Sequence, residues 1–365
     1  MPLTTPLPTG FSEQIHELLP EEAPALLRAL DEEPSVSIRL NARKTKGIDL
    51  PLPLGNAVPW AGPLGYYLDQ RPSFTADPLW HAGSYYVQEA SSMLLSLVKP
   101  LLDEKPLTAL DLCAAPGGKS TLLLDLLPEG SVLVSNELIR SRAQILAENI
   151  QKWGSTQSIV TSTEPRALGK LRTAFDFILV DAPCSGEGML RKDEEARRQW
   201  SPGLVAQCAR QQREILEDIW PALRPGGILV YSTCTFNREE DEAMIGYLVE
   251  EFGAEPLALP DCPNEITSST LSPYPCYRMM PHRVRGEGLL CVLRKSEDEA
   301  PAKVKPSKEK GRGSVKAPAE VLAWLAEDLR QDLILQQVGD DQLVAYSPSV
   351  LSLVEQLQAL KVPIL

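Results

Sequence analysis

LTALDLCAAPGGKSTLLLDLL, residues 107–127, reads as one buried strand, one loop of small residues and the start of one helix. The apolar run ends at Leu112, the loop takes Cys113 to Gly118, and the helix opens near Lys119. Gly117 and Gly118 let the backbone approach a ligand closely, and strand, glycine loop and helix N-terminus in that order form a general nucleotide cradle. The spacing is neither G-x-G-x-x-G nor a P-loop, and a tight structural turn would leave the same trace.

Outward from this stretch the same alternation recurs. Short apolar runs, SVLVSNE (131–137), SIVTS (158–162), FDFILVDA (175–182), GGILVYSTC (226–234) and GLLCVLRK (288–295), are separated by helical segments such as IRSRAQILAENIQKWG. Alternation of β and α over 101–296 predicts an α/β, Rossmann-like domain: an open, mostly parallel sheet with helices on both faces and ligands beyond the carboxyl ends of its strands. Residues 1–100 read as a small α+β accessory domain. They carry a helical run, FSEQIHELLPEEAPALLRAL, then SVSIRLNARK with Val36, Ile38 and Leu40 alternating as in a half-buried strand, then a proline-rich stretch over 51–80. Residues 297–316 have the composition of a flexible basic linker. The unit 317–365 holds helical VLAWLAEDLRQDL, strand-like DQLVAYSP and a second helix, ending on apolar LKVPIL, and is expected to be the incomplete start of a C-terminal domain.

The composition excludes several classes. With 43% hydrophobic and 23% charged residues over 365 positions the chain is globular, and no stretch approaches the roughly 18 apolar residues of a membrane-spanning helix. No secretory leader is visible at MPLTTPLPTG, so a cytoplasmic protein without a membrane partner is expected. Seven scattered cysteines, none in C-x-x-C spacing, suggest neither a disulfide framework nor a metal site. A net charge of −13 argues against nonspecific nucleic-acid binding, so an RNA substrate would need a local basic surface.

Each strand end carries a candidate. Glu137 ends the second strand, where an acid in a doubly wound fold accepts from ribose hydroxyls or simply complements the helix dipole. Glu164, in TSTEPRAL after the third, is placed to reach a base amino group or to sit solvated. The fourth strand ends in Asp181, Pro183, Cys184, Ser185 and Gly186, and the fifth in Cys234. Adjacent strands would set both cysteines over one crevice. A helix soon after Cys234, with Asn237 to Glu240 in capping-box spacing, would favour its thiolate. Buried free cysteine is otherwise an inert small hydrophobe.

DLCAAPGGKS, VDAPCSGEG and YSTCT, in this order and separation, resemble the RNA 5-methylcytosine methyltransferases of the Nol1/Nop2/Sun group. GSYYVQEASSM (83–93) extends the likeness upstream, and PHRVRGEGLL (281–290) with SVSIRLN resembles the bacterial RsmF branch, which acts on small-subunit (16S) ribosomal RNA. The resemblance implies S-adenosyl-L-methionine held by Cys113, Ala114, Ala115, Pro116, Gly117, Gly118 and Lys119, with Glu137 on the ribose, Glu164 on the adenine in place of the usual aspartate, and Asp181 touching base and cofactor. It implies Cys234 as nucleophile, Cys184 in product release, Lys119 near the reacting centre, and a PUA-like RNA-binding unit beginning at 317. The partner implied is RNA, 16S rRNA or the 30S subunit, with no obligate protein partner. Basic residues Arg191, Lys192, Arg197, Arg198, Arg283, Arg285 and the linker lysines are expected to rim the crevice. A tRNA substrate, or an RNA-binding assembly factor without turnover, uses the same fold; intact Cys184, Cys234, Asp181 and Lys119 disfavour the latter. A dinucleotide-dependent dehydrogenase lacks its glycine fingerprint here.

Overall fold

The computed structural model describes residues 3–47, 50–266, 269–297, 318–324, 327, 330, 333–338 and 342–365. At the N-terminus the expected single helical run is two helices, Thr9–Leu18 and Ala23–Leu30, broken around Pro20, which cannot continue an i to i−4 ladder. Their apolar faces, Phe11, Ile15, Leu26 and Leu30, pack on Leu190, Trp200, Phe236 and Met280 from the loops of the next unit. Strands β1 (Ser37–Leu40), β2 (Leu54–Ala57), β3 (Gly65–Leu68) and β4 (Tyr85–Val87) form an antiparallel sheet in the order β2-β3-β1-β4.

Strand β1 is not half-buried as its alternation suggested. Its polar side chains are inside as well, because each is hydrogen-bonded across to another segment: Ser37 Oγ to the Gln88 carbonyl (2.6 Å), Arg39 Nε to Gln88 Oε1 (2.8 Å) and its guanidinium to Asp125 and Thr121. Arg39 also lies 4.4 Å from the Trp153 ring centroid. Buried polar groups so paired tie the N-terminal sheet to the unit that follows it.

That unit comprises β5 (Thr108–Asp111), β6 (Val132–Asn136), β7 (Ser158–Thr161), β8 (Phe175–Asp181), β9 (Leu223–Thr233), β10 (Glu255–Leu257), β11 (Tyr277–Met279) and β12 (Gly288–Arg294), with sheet order β10-β12-β9-β8-β5-β6-β7. Strands β5 to β9 are parallel; β12 returns antiparallel against β9, and β10 and β11 pair antiparallel with β12. Strand order reverses at β5, whose neighbours are β6 and β8, so a crevice opens beyond its carboxyl end. Alternating side chains supply the cores of the two faces: Leu110, Ile178 and Val180 on one, Ala109, Phe177 and Leu179 on the other.

Strands β13 (Ile334–Val338) and β14 (Gln342–Tyr346) form a hairpin, followed by the Leu351–Ala359 helix. Leu353, Leu357 and Val362 join the core of the eight-stranded sheet. The C-terminal residues pair along the edge strand β7, Leu365 N–H donating to the Val160 carbonyl (2.9 Å) and Ser162 N–H to that of Pro363 (3.2 Å), while the Ile364 and Leu365 side chains stay exposed. The basic linker and part of VLAWLAEDLRQDL lie outside the described residues. Among the described residues no helix is long and apolar enough to cross a membrane, and no group of His, Cys, Asp and Glu is placed to hold a metal ion.

Candidate active site

Strands β8 and β9 pair with Asp181 opposite Ser232, so the segments leaving them run side by side. Cys184 Sγ and Cys234 Sγ stand 3.1 Å apart, both half-buried, over the one crevice expected. The hydrogen bond to Cys234, then burial, pushes the Cys184 thiol well above the ordinary cysteine range. Two buried carboxylates staple these loops. Glu187 Oε2 accepts from Phe236 N–H (2.7 Å) and Asn237 N–H (2.9 Å), while its Oε1 accepts from Gln14 Nε2 (2.9 Å) and Trp200 Nε1 (3.1 Å). Glu240 accepts from Ser185 N–H (2.9 Å), Asn237 Nδ2 (2.8 Å) and Gln212 Nε2 (2.8 Å). Gly188 N–H donates to the Cys234 carbonyl at 2.7 Å, and a Cβ there would lie 2.8 Å from that same oxygen, so glycine is required.

The helix expected soon after Cys234 begins only at Glu242. Asn237 and Glu240 instead close a turn, Asn237 Oδ1 accepting from Glu240 N–H at 2.8 Å, because the Glu240 carboxylate is committed to the Ser185 loop. The helix N-terminus therefore lies eight residues beyond Cys234.

Lys119, near the start of the Gly118–Leu126 helix, reaches Asp181 at 2.8 Å, and Ser232 Oγ donates to the other Asp181 oxygen at 2.6 Å. Burial alone would lower the lysine's pKa, but Asp181 and Asp111 outweigh it and the amine is held above its ordinary value, charged at neutral pH. These residues and both cysteines line a cavity of about 180 Å³ whose inner wall carries Glu89 and Glu287. Lys192 bridges the two carboxylates, and burial with the Glu89 charge pushes the Glu287 carboxyl up to about 7.

On the other side of Asp181 and the cysteines lies a cavity of about 630 Å³, with Cys113, Ala115, Glu137 and Glu164 on its wall. Ala114, Pro116, Gly118 and Lys119 line a third, of about 160 Å³, which shares Cys113, Ala115 and Asp181 with the larger one. Gly117 lines none of the three. It takes φ 116°, where a side chain is strained, and a Cβ would meet Leu146 at 3.2 Å, so it serves the turn into the helix. Arg142 Nη2 and Asn149 Nδ2 hold the loop by the carbonyls of Ala115 (3.1 Å) and Pro116 (2.8 Å). Glu137 is 5% exposed, its carboxylate accepting from Ile139 N–H (2.9 Å) beside Arg142, while Glu164 stands exposed at the rim.

Of the residues expected at a basic rim, Arg191 and Arg197 are buried, Arg198, Arg283 and Arg285 are exposed, and the linker lysines lie outside the described residues. Arg191 and Lys192 pair with Glu287; Arg197 is 4% exposed and donates to the carbonyls of Leu190, Thr5 and Leu30 and to Asp31; Arg198 pairs with Glu194 and Glu195; Arg283 pairs with Glu22. Arg285 lies over the Tyr67 ring. Apart from those of Arg198 and the Leu190 carbonyl, their acidic or carbonyl partners come from segments far away in sequence, which a charge count cannot see.

Residues 97–293, more than half of the chain, match the family described as 16S rRNA methyltransferase RsmB/F. The chain belongs to the RsmB/F family. Residues 7–90 match the N-terminal domain of 16S rRNA methyltransferase RsmF. Similar relatives include the ribosomal RNA small subunit methyltransferase F of Aliivibrio fischeri, 37% identical over 68% of this chain and 55% of that one, and that of Aeromonas salmonicida, 41% identical over 60% and 48%. The chain thus spans about half the length of the curated relatives it matches. A solved methyltransferase homologue from Pyrococcus horikoshii superposes with TM-score 0.64 and 28% identity, covering 78% of this chain and 94% of that one. The cofactor of RsmB/F methyltransferases is S-adenosyl-L-methionine. The 630 Å³ cavity fits it: its volume suits a small-molecule cofactor, and the buried Glu137 carboxylate on its wall can accept hydrogen bonds from hydroxyl groups. Glu89, Glu187 and Glu287 were not singled out from the sequence, and Glu240 only as half of a capping box; the local signal for Glu187 and Glu287 is glutamate between glycines in CSGEG and RGEG.

Proposed function

We propose that the chain methylates carbon 5 of a cytosine in small-subunit rRNA, with Cys234 as the covalent nucleophile. The observation that carries this reading is the pair of thiols 3.1 Å apart beside the Lys119–Asp181 pair, on the wall shared by a cofactor-sized cavity and a base-sized one. Bound S-adenosyl-L-methionine supplies the methyl group. Carbon 5 of cytosine is too weak a nucleophile to take it, so the Cys234 thiolate first bonds to carbon 6 and the ring electrons move toward N3 and carbon 5. The Lys119 ammonium, held by Asp181, stabilises the negative charge developing at N3 and, through that contact, supplies the proton that N3 takes up and returns when the cysteine leaves. After transfer the C5 proton must leave before the Cys234–C6 bond can break. Cys184 is suited to that step only once Cys234 has become a thioether: the hydrogen bond that most raises its pKa is then lost, its own proton passes to water, and the thiolate takes the C5 proton.

Incubating 30S subunits, free 16S rRNA and tRNA with the chain and labelled cofactor, followed by nucleoside mass spectrometry, tests the proposal. 5-Methylcytidine in 16S rRNA is expected. A methyl group on another atom, or on tRNA alone, would overturn it.

A further inference from the structure

A cavity of about 300 Å³ lies outside the site described, between the N-terminal sheet and the Arg140–Trp153 helix. Its walls are Phe74, Trp80, Tyr86 and Trp153, with Arg71 and Lys152 beside them. Lys152 Nζ stands 4.4 Å from the Trp80 ring centroid and Arg71 Cζ 5.6 Å from that of Phe74, and neither cation has an ion-pair partner among the described residues. Arg43 and Lys46, both exposed, add positive charge on the adjoining segment.

The cavity is built into a fixed seam. Asn41 Nδ2 donates to the carbonyls of Gly83 (3.1 Å) and Trp153 (3.0 Å), and Lys44 Nζ donates to those of Ala82 (2.8 Å) and Lys152. Gly83 sits so close to the helix end that a Cβ would fall 2.1 Å from the Lys152 oxygen. The seam also leads to the reacting centre. Tyr86 and Val87 line both this cavity and the 160 Å³ one, which shares Glu89, Ser92, Lys119 and Asp181 with the cysteine cavity. From Tyr86 to Glu89 is about 10 Å along extended chain.

We propose that this cavity binds one unpaired RNA base close in sequence to the target cytosine, stacked on Trp80, with Arg71 and Lys152 on the flanking phosphates. The inference rests on the RNA reading above. Aromatic faces beside cations form the usual platform for unstacked bases. Lys152 and Arg71 now lie over rings, and a base arriving there would turn them outward to phosphate. Charge complementarity favours RNA over a protein segment, since an acidic chain otherwise repels it.

The test uses the full chain and a fluorescein-labelled unpaired RNA 12-mer with 4-thiouridine beside a single cytosine. Trp80→Ala should weaken binding about 5- to 100-fold, and Trp80→Phe should retain most of it, as expected for stacking. Arg71→Ala should flatten the slope of log affinity against log salt by about 0.7, the single-strand value for one phosphate. Cofactor affinity, measured by calorimetry, should be unchanged in all three, and photocrosslinks from wild type should map to residues 71–86 or 149–153. Wild-type affinity in Trp80→Ala, crosslinks elsewhere, or crosslinks from this face to a ribosomal protein on 30S subunits would overturn the proposal. RNA methylated by wild type but crosslinked elsewhere removes this base site and spares the methylation reading; RNA crosslinked here without methylation does the reverse.

Discussion

Asp111 ends β5 fully buried, Oδ2 accepting from Ser120 Oγ at 2.7 Å and Oδ1 without a hydrogen-bond partner among the described residues. Burial, together with the nearby Asp181 and Glu137 charges, pushes its carboxyl up to about 7. A folded pKa above the unfolded one means that the native state binds more protons between those values, so this group costs stability as pH rises from about 4 through 7. Asp111→Asn should therefore be nearly neutral at pH 4 and stabilising by about 1–3 kcal/mol at pH 8, a discount on the full shift at 1.36 kcal/mol per unit. Melting curves of both proteins at the two pH values check this; an equal difference at both would contradict it.

At the scale of elements, the two cysteine loops are one device. All four partners of Glu187 are donors, two on each oxygen. Glu187→Gln offers only one acceptor end, so an NH2 must face either the Phe236 and Asn237 amides or Gln14 and Trp200. A loss of about 2–4 kcal/mol is expected, more than one hydrogen bond to a charged group, with kcat falling while cofactor affinity holds. Chemical denaturation and calorimetry measure the two. The strands and the crevice were legible in the sequence because each strand ends in small or polar residues after an apolar run, as at Asp181 and Cys234. The staples were not, because a glutamate's partners some fifty residues away leave no period in the sequence. Strand β1 misled for the same reason: Ser37, Arg39 and Asn41 look solvent-facing until their partners are known.

For the whole molecule the question is where an acidic chain meets RNA. Arg197, expected at a basic rim, is instead a clasp between the N-terminal helices and the loop after Cys184. Arg197→Ala should lower stability by about 2–4 kcal/mol, since it leaves several buried carbonyls unpaired, yet should not change the salt slope of RNA binding. A slope reduced by about 0.7 would restore it to the rim. Among the described residues, Arg71 and Lys152 on the N-terminal sheet side are cations without an ion-pair partner.

The chemistry itself is decided by one denaturing gel of labelled RNA incubated with wild type, Cys184→Ala, Cys234→Ala and the double variant, each with cofactor. If Cys234 adds to carbon 6 and Cys184 acts only in release, a slowly migrating protein–RNA adduct accumulates in Cys184→Ala and is absent from Cys234→Ala and from the double variant. Adduct in Cys234→Ala, or free turnover without adduct in Cys184→Ala, would contradict the division of labour between the two thiols.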